Sequence, residues 1–527
     1  MGKYLTKRIL FSIFSLLVVV VVVMLLVYTF INRSAIFQTD DTWNKKTGND
    51  RTYYEYMQYQ NYGYLTFNNY SNFLSGKYQA LYGEEYDQHE DYIDDKNAIK
   101  NKNTYLDNQS VKEFIDKSEA DGYKIVYLAP EVYQATGKLK PGATAYLLAV
   151  DEKNAFVRLW DYIKNFISFE TTKDVTDPNL TERYVKVEKD PYSGLFAVVG
   201  SGTTHKYLLY FDERFPFIHQ NWMHINLGTS YTRYRGQEIS NVITAPNGDL
   251  KITRQQYPNM IGTDEYVDTA INFHSLTYNP VTTEADRRMY PDNYTTSTFK
   301  KQGLSMIENS FVIGLAATII SYMLGLPLGI LMARRKDKLA DKIGNVYIIF
   351  IMAVPSLAYI FMFAAIGTRV FHLPYKFANA DPAILGYILP TVSLALPSIG
   401  GLMKWMRRYM IDQMNSDYVK FARAEGLSER EIYSTHISRN ALIYLVHGIP
   451  GSILGCLTGA IITERVYAVP GVGNLLTNAI NGHDNGIIIA CTVFYTFLSI
   501  LSVILGDLLL AKYDPRISLS SERGGGR

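Results

Sequence analysis

Apolar and polar positions are distributed very unevenly along the chain. One apolar run occupies 9–30, a polar stretch follows to about residue 301, and five more apolar runs lie at 306–332, 346–368, 384–403, 441–463 and 487–510. A helix of about 20 apolar residues crosses a hydrocarbon core of about 30 Å, so six transmembrane helices are predicted. The first holds six consecutive valines at 18–23, β-branched residues that lipid-facing helices tolerate well. Lys3, Lys7 and Arg8 precede it as in a signal peptide. Its apolar run of 22 residues exceeds the usual range of about 7–15, however, and no small-x-small cleavage pattern follows, so an uncleaved anchor is expected.

Basic residues in short loops set orientation. They gather at the N-terminus, at Arg334, Arg335, Lys336, Lys338 and Lys342, and at Lys404, Arg407, Arg408, Lys420, Arg423, Arg430 and Arg439; the opposite loops carry Arg369, Lys376 and Arg465. Both termini are therefore expected in the cytoplasm. This divides the chain into residues 1–31 (N-terminus and first helix), an extracellular domain at 32–304, helices two to six at 305–516 with a cytoplasmic loop at 404–440, and a tail at 517–527.

The outer segment holds 28 of the 42 tyrosines and no cysteine, so an ordinary core rather than disulfides must hold it. Phe156, Leu159, Trp160, Ile163, Phe166 and Ile167 recur at helical spacing, while 195–199 and 207–211 flank a glycine turn and predict a hairpin. An α+β domain is expected, with tyrosines over a small core in preference to a ligand site.

Composition narrows the chemistry. A net charge of +2 with 19% charged residues excludes a strongly basic nucleic-acid binder. The sequence contains no G-x-x-x-x-G-K-[ST], no H-E-x-x-H and no G-x-S-x-G, the motifs of phosphate cradles, zinc proteases and serine hydrolases. His219 and His224 are the nearest histidine pair, but a spacing of five does not place both on one helix face, so no metal site is expected. Glu308, Glu464 and Asp507 fall near predicted helix ends, where headgroup contact suffices. Pro355, Pro390, Pro397 and Pro450 are expected to kink helices or act as hinges.

The fourth predicted loop is unusual. Asn415, Ser416 and Asp417 are helix-capping types, Tyr418, Phe421, Ala422 and Glu425 share a helical face, and Gly426 suits a left-handed helix end. Ser428 and Glu431 then form an S-x-x-E start for a second helix. A two-turn helix is marginal in isolation, so this one needs a partner surface.

"DYVKFARAEGLSEREIYSTHISRNAL" resembles the cytoplasmic-loop signature of the membrane subunits of ABC importers, in the oligopeptide, dipeptide and nickel permease group. Ala422, Arg423, Ala424, Gly426, Leu427, Arg439, Asn440 and Ala441 carry the match. "LGLPLGILMARRKDK", "ERVYAVPGVGNLL", "YDPRI" and "NWMHINLGTSYTRYRGQEISNVI" resemble further segments of that group, in the same order. The older E-A-A opening is replaced by Lys420, Phe421 and Ala422, and residues 32 to about 215 resemble the enlarged outer domain of some Gram-positive oligopeptide permeases.

The resemblance implies an all-α polytopic membrane domain of six helices, like a type I ABC importer permease, with the α+β domain inserted between helices one and two. It implies transport of oligopeptides, with dipeptides, nickel or another small solute as alternatives. The implied partners are a second homologous permease subunit, two ATPase subunits and a lipid-anchored extracellular peptide-binding protein. ATP and Mg would be held by the ATPases, and no cofactor or catalytic site is expected in this chain. Asp417, Tyr418, Phe421, Ala422, Arg423, Ala424, Gly426 and Leu427 would form the helix that docks on an ATPase. Glu464, Pro470, Gly471 and Gly473 read either as an ordinary turn or, by the resemblance, as an outer gate. A sensor would need a cytoplasmic output module, and a secondary transporter would need repeats or mid-membrane ionisable residues.

Overall fold

The computed structural model describes residues 2–30, 33–38, 40–133, 136, 138–214 and 217–513; the expected tail at 517–527 lies outside them. Among these, Gly2–Phe30, Met306–Arg334, Leu385–Met414 and Asn485–Tyr513 contain apolar runs long enough to cross a membrane alone. Two bent pairs reach that length only jointly: Leu339–Ala353 with Ser356–Val370, at 112°, and Glu429–Val446 with Gly448–Tyr467, at 49°.

The apolar run at 346–368 is thus divided into two pieces that meet at Pro355, one of the prolines expected to kink a helix. Pro355 pushes Val354 out of the helical region, to ψ 130°, and supplies no N–H to continue the ladder. Pro390 and Pro397 are instead accommodated inside Leu385–Met414.

Close helix packing explains how that long helix is held. A Cβ on Gly325 would lie 2.8 Å from the Leu402 Cβ, and one on Gly329 2.8 Å from the Met406 Cβ. Gly325 and Gly329 are four residues apart, the small-xxx-small spacing that lets two helix backbones approach in a membrane. Near the C-terminal end of that helix, Arg407 donates to both carboxylate oxygens of buried Asp341, at 2.6 and 2.7 Å. Asp507 is paired with Arg8 at 2.9 Å, tying the last helix to the first. Large side chains such as Phe14, Met323 and Ile349 remain exposed on these helices, as lipid-facing surfaces do.

Residues between the first two long helices form two α+β lobes. In the first, Tyr146–Glu152 lies between Leu65–Asn69 and Lys124–Leu128 in an antiparallel sheet covered by helices Tyr70–Tyr82, Glu90–Ala98 and Gln109–Ala120. In the second, four antiparallel strands run in chain order, Tyr184–Lys189, Phe196–Ser201, Tyr207–Phe211 and Ile218–Gln220. The expected hairpin is the pairing of Phe196–Ser201 with Tyr207–Phe211.

The tyrosines correct the expected tyrosine-rich surface. Tyr70, Tyr78 and Tyr92 are core residues of the first lobe, and Tyr207, Tyr210, Tyr257, Tyr290 and Tyr294 of the second. Their hydroxyls reach partners from inside, as Tyr78 does at the Asp95 carboxylate, 2.7 Å away. The apolar stripe of helix Ala155–Lys164 is likewise divided. Leu159 packs on Met24 and Val27 of the first long helix, while Phe156 and Trp160 stay exposed.

The lobes are fastened to the membrane helices at a polar seam. Arg158 lies 3.4 Å from the Tyr28 ring centre and 3.6 Å from that of Tyr64. Asp484, just before Asn485–Tyr513, accepts from the hydroxyls of Ser230 and Thr232 at 2.7 and 2.9 Å. Ile239, Val242 and Ile243 pack with Met306, Leu475 and Ile487. The stretch 221–243 therefore contributes directly to this junction.

In the second lobe, buried His274 donates through Nε2 to the Asp190 carboxylate, 2.8 Å away, and faces Asp212 at 3.6 Å. Burial pulls the imidazole down, but its two carboxylate partners outweigh this and hold it above the ordinary histidine value. Stability from a raised imidazole is full below the unfolded value of about 6.5 and is lost as pH rises through the folded value. His274→Gln is expected to lower stability by about 3 kcal/mol below pH 6.5 and by progressively less as the pH rises. Melting curves of both proteins across this range test the sign; an equal loss at both ends would refute it.

Candidate functional sites

The hairpin between Leu385–Met414 and Ser438–Val446 is built as helix Asp417–Ala424, a left-handed Gly426 with φ +84°, and a second helical stretch from Glu429. Ser416 occupies the cap position without a side-chain cap bond; Asp417 pairs with Lys420 at 2.8 Å instead. Ser428 caps the second stretch, accepting from the Glu431 N–H. A π-helical segment, Ile432–Ile437, then leads into Ser438–Val446.

The surface that steadies the short helix belongs to the same chain. Val419 and Ala422 are buried against Met406, Met410, Ile432, Ile437 and Ala441. Tyr418 is half-buried, its hydroxyl donating to the Gln413 amide oxygen at 2.8 Å. Leu427 is half-buried beside it, its N–H bonded to Ala422 O. Arg423 donates to Glu429 at 2.8 Å, Ala424 and Gly426 are exposed, and Phe421 is 70% exposed. The face drawn from the sequence thus divides between Ala422 below and Phe421 above. The partner surface that a short helix needs is therefore supplied within the chain, with Val419, which was not singled out in the sequence, as its anchor.

At the other end of the membrane domain, Glu464, Pro470, Gly471 and Gly473 are brought together. Helix Gly448–Tyr467 closes on left-handed Ala468, and the chain doubles back through Pro470 into helix Val472–Asn481. Glu464 is fully buried, which corrects its expected place at a headgroup-exposed end. Its carboxylate accepts from the Ser310 hydroxyl at 2.6 Å and from the Asn474 N–H at 3.1 Å. The second bond comes from the first turn of Val472–Asn481, where helix N–H groups favour negative charge.

Glycine makes this approach feasible. A Cβ on Gly471 would lie 2.3 Å from a Glu464 carboxylate oxygen, and one on Gly473 2.6 Å from the Ile461 Cα. Around this knot, Asn309 donates to Pro470 O at 3.1 Å, Tyr387 donates to the Asn309 side-chain oxygen at 2.5 Å, and Ser310 also accepts from the Val472 N–H at 3.0 Å. Ser393 and Tyr467 hydroxyls meet at 2.8 Å. Four helices are thereby joined through polar side chains. Asn309, Ser310 and Tyr387 were not singled out in the sequence, where uncharged polar residues in apolar runs are commonplace. Glu308 caps its own helix, accepting from the Ser305 N–H at 2.7 Å.

The nearest histidines in sequence diverge. His219 contacts Arg214 O at 3.0 Å, whereas His224 shares Glu170 with His205.

Residues 325–519 match the family described as binding-protein-dependent transport system inner membrane component. The oligopeptide transport system permease protein AmiC of Streptococcus pneumoniae is 34% identical over 100% of both chains. The dipeptide transport system permease protein DppB of Lactococcus lactis is 32% identical over 40% of this chain and 69% of its own. A solved inward-facing MetNI methionine ABC transporter chain shares 13% identity, with a TM-score of 0.33 over 40% of this chain and 94% of that one. The pneumococcal relative matches throughout, outer lobes included, while the dipeptide relative matches two fifths. With a full-length relative at 34% identity and the family pattern spanning most of its membrane helices, this chain belongs to the inner membrane components of binding-protein-dependent transport systems.

Proposed function

We propose that this chain is the permease subunit of an ATP-driven importer that receives oligopeptides from an extracellular, lipid-anchored binding protein and passes them inward. Likeness to AmiC along the whole chain supports the oligopeptide assignment over the dipeptide one. In this reading each bent helix pair is one crossing, giving six; both termini are cytoplasmic and 32–304 is extracellular. Exposed Phe156 and Trp160, beside the upper turns of the first helix, fit an outer interfacial position, where aromatic rings sit at headgroup level. A second permease subunit completes the pathway, and two ATPase subunits bind ATP and Mg.

The observation that carries the coupling assignment is the two-sided helix Asp417–Ala424. Val419 and Ala422 root it on Met406 and Met410, so a push on exposed Phe421 is passed to helix Leu385–Met414 as rigid-body movement rather than absorbed by a loose loop. Opposite that end, Tyr387 and Ser393 of the same helix reach the knot around Glu464, which fits an outer gate. Inward- and outward-open arrangements of similar free energy would then be biased by nucleotide on one side and the loaded binding protein on the other.

Two substitutions separate docking from folding. Phe421→Asp is expected to leave membrane insertion and melting temperature unchanged, since exposed sites shift stability by only about 0.5 kcal/mol. It should lower ATP-dependent uptake of labelled oligopeptide at least tenfold. Uptake at the normal rate would count against this helix as the ATPase contact. Gly471→Ala forces a methyl into the Glu464 carboxylate and is expected to cost about 2 kcal/mol or more; an unchanged melting temperature would show that the turn does not wrap that group tightly.

A further inference from the structure

Three side chains from separate segments of the outer lobes converge without any part in the transport reading. Glu170 follows strand Ile167–Phe169, His205 lies on the turn between Phe196–Ser201 and Tyr207–Phe211, and His224 sits on strand Met223–Ile225. One oxygen of Glu170 lies 2.5 Å from His205 Nδ1 and 2.9 Å from His224 Nε2, and the three donor atoms all fall within 4.8 Å of one another.

Backbone pairing presets the arrangement. Ser168 is in register with His224, and the Glu170 N–H donates to Trp222 O at 2.8 Å. The other Glu170 oxygen accepts from the His205 N–H at 2.9 Å, and His205 bridges to Thr277 on strand Ile271–Tyr278. Side-chain exposure rises from 4% at Glu170 through 23% at His205 to 44% at His224. The carboxylate is thus fixed inside while one imidazole borders solvent, which gives an ion a path of entry.

We propose that Glu170, His205 and His224 bind a first-row divalent cation, with zinc as the matching ion, that staples strands 167–169 and 223–225 to the 196–211 hairpin. Two imidazole nitrogens and a carboxylate oxygen, with bonds of about 2.0–2.2 Å and a water in the fourth position, form a tetrahedral donor set that suits zinc. Each neutral imidazole moves its proton to the ring nitrogen facing away from Glu170 and offers the freed lone pair to the metal, so no redox step or co-reactant is involved. The outer segment has no cysteine, and a metal staple supplies the cross-link between distant segments that a disulfide would otherwise provide. The spacing of His219 and His224 pointed away from a metal because the ligands are 35 and 54 residues from Glu170 and only the sheet brings them together.

The test uses the full-length, tag-free chain in detergent, stripped with chelator and dialysed against zinc chloride, with metal content measured by mass spectrometry. One zinc per chain is expected for the natural sequence and for His219→Ala, and less than a tenth of that for His205→Ala and His224→Ala. Zinc should raise the melting temperature of the natural chain by several degrees and leave that of His224→Ala unchanged. Because His224 is half exposed, this variant is expected to match the natural chain's melting temperature before zinc is added. Absence of stoichiometric zinc from the natural chain, or its retention by both variants, would overturn the assignment and leave one carboxylate hydrogen-bonded to two histidines. Neither result bears on whether the chain transports peptides.

Discussion

The close crossing at Gly325 and Gly329 is the contact on which the membrane domain depends. Both glycines admit Leu402, Met403 and Met406 to backbone distance, so Met306–Arg334 and Leu385–Met414 move as one body. The second of these has 30 residues, or about 45 Å of helix, enough to reach from one membrane face to the other. Its C-terminal end holds Val419 and Ala422 through Met406 and Met410; its other end reaches Asn309 and Tyr467 through Tyr387 and Ser393. That crossing adds Met306–Arg334 to the rigid element that joins helix Asp417–Ala424 with the Glu464 knot.

Buried charge is handled locally at each end of this beam. Asp341 is answered by both arms of Arg407, and Glu464 by a hydroxyl and a helix-terminal N–H. An unpaired carboxylate in hydrocarbon would cost several kcal/mol, about what is lost when one partner of a buried pair is removed. Such groups therefore specify where helices meet. The glycines at 471 and 473 serve the same end by letting the turn close around Glu464.

Outside the helices, tyrosine does the work that aliphatic residues and disulfides do in other exposed domains. Its ring fills the core and its hydroxyl reaches polar groups such as Asp95, or Thr203 O in the case of Tyr294, so a polar composition still yields buried clusters. The same residue type also makes the seam, where Tyr28 and Tyr64 sandwich Arg158. Asp484 adds a carboxylate at the start of the last helix that accepts from Ser230 and Thr232 as well as from the Ile487 N–H. The lobes are thus bound to the first and last long helices by side chains whose burial makes separation costly.

By itself the sequence determined what repeats along the chain or follows from local chemistry: the apolar runs, the basic loops, the helix stop at Gly426, the start at Ser428 and the hairpin around Gly202. Hydrophobic period, charge and turn preference act over a few residues, and so they are legible without a fold. The tertiary structure decided which face of a helix is covered, because burial depends on neighbours far away in sequence: Val419 inward and Phe421 outward, tyrosines in the core, Glu464 wrapped by Gly471. It also decided the break at Pro355, since prolines 390 and 397 stay within a helix and local chemistry treats all three alike. Glu170, His205 and His224 show the limit most clearly, for their meeting is a property of strand pairing and no window along the chain contains it.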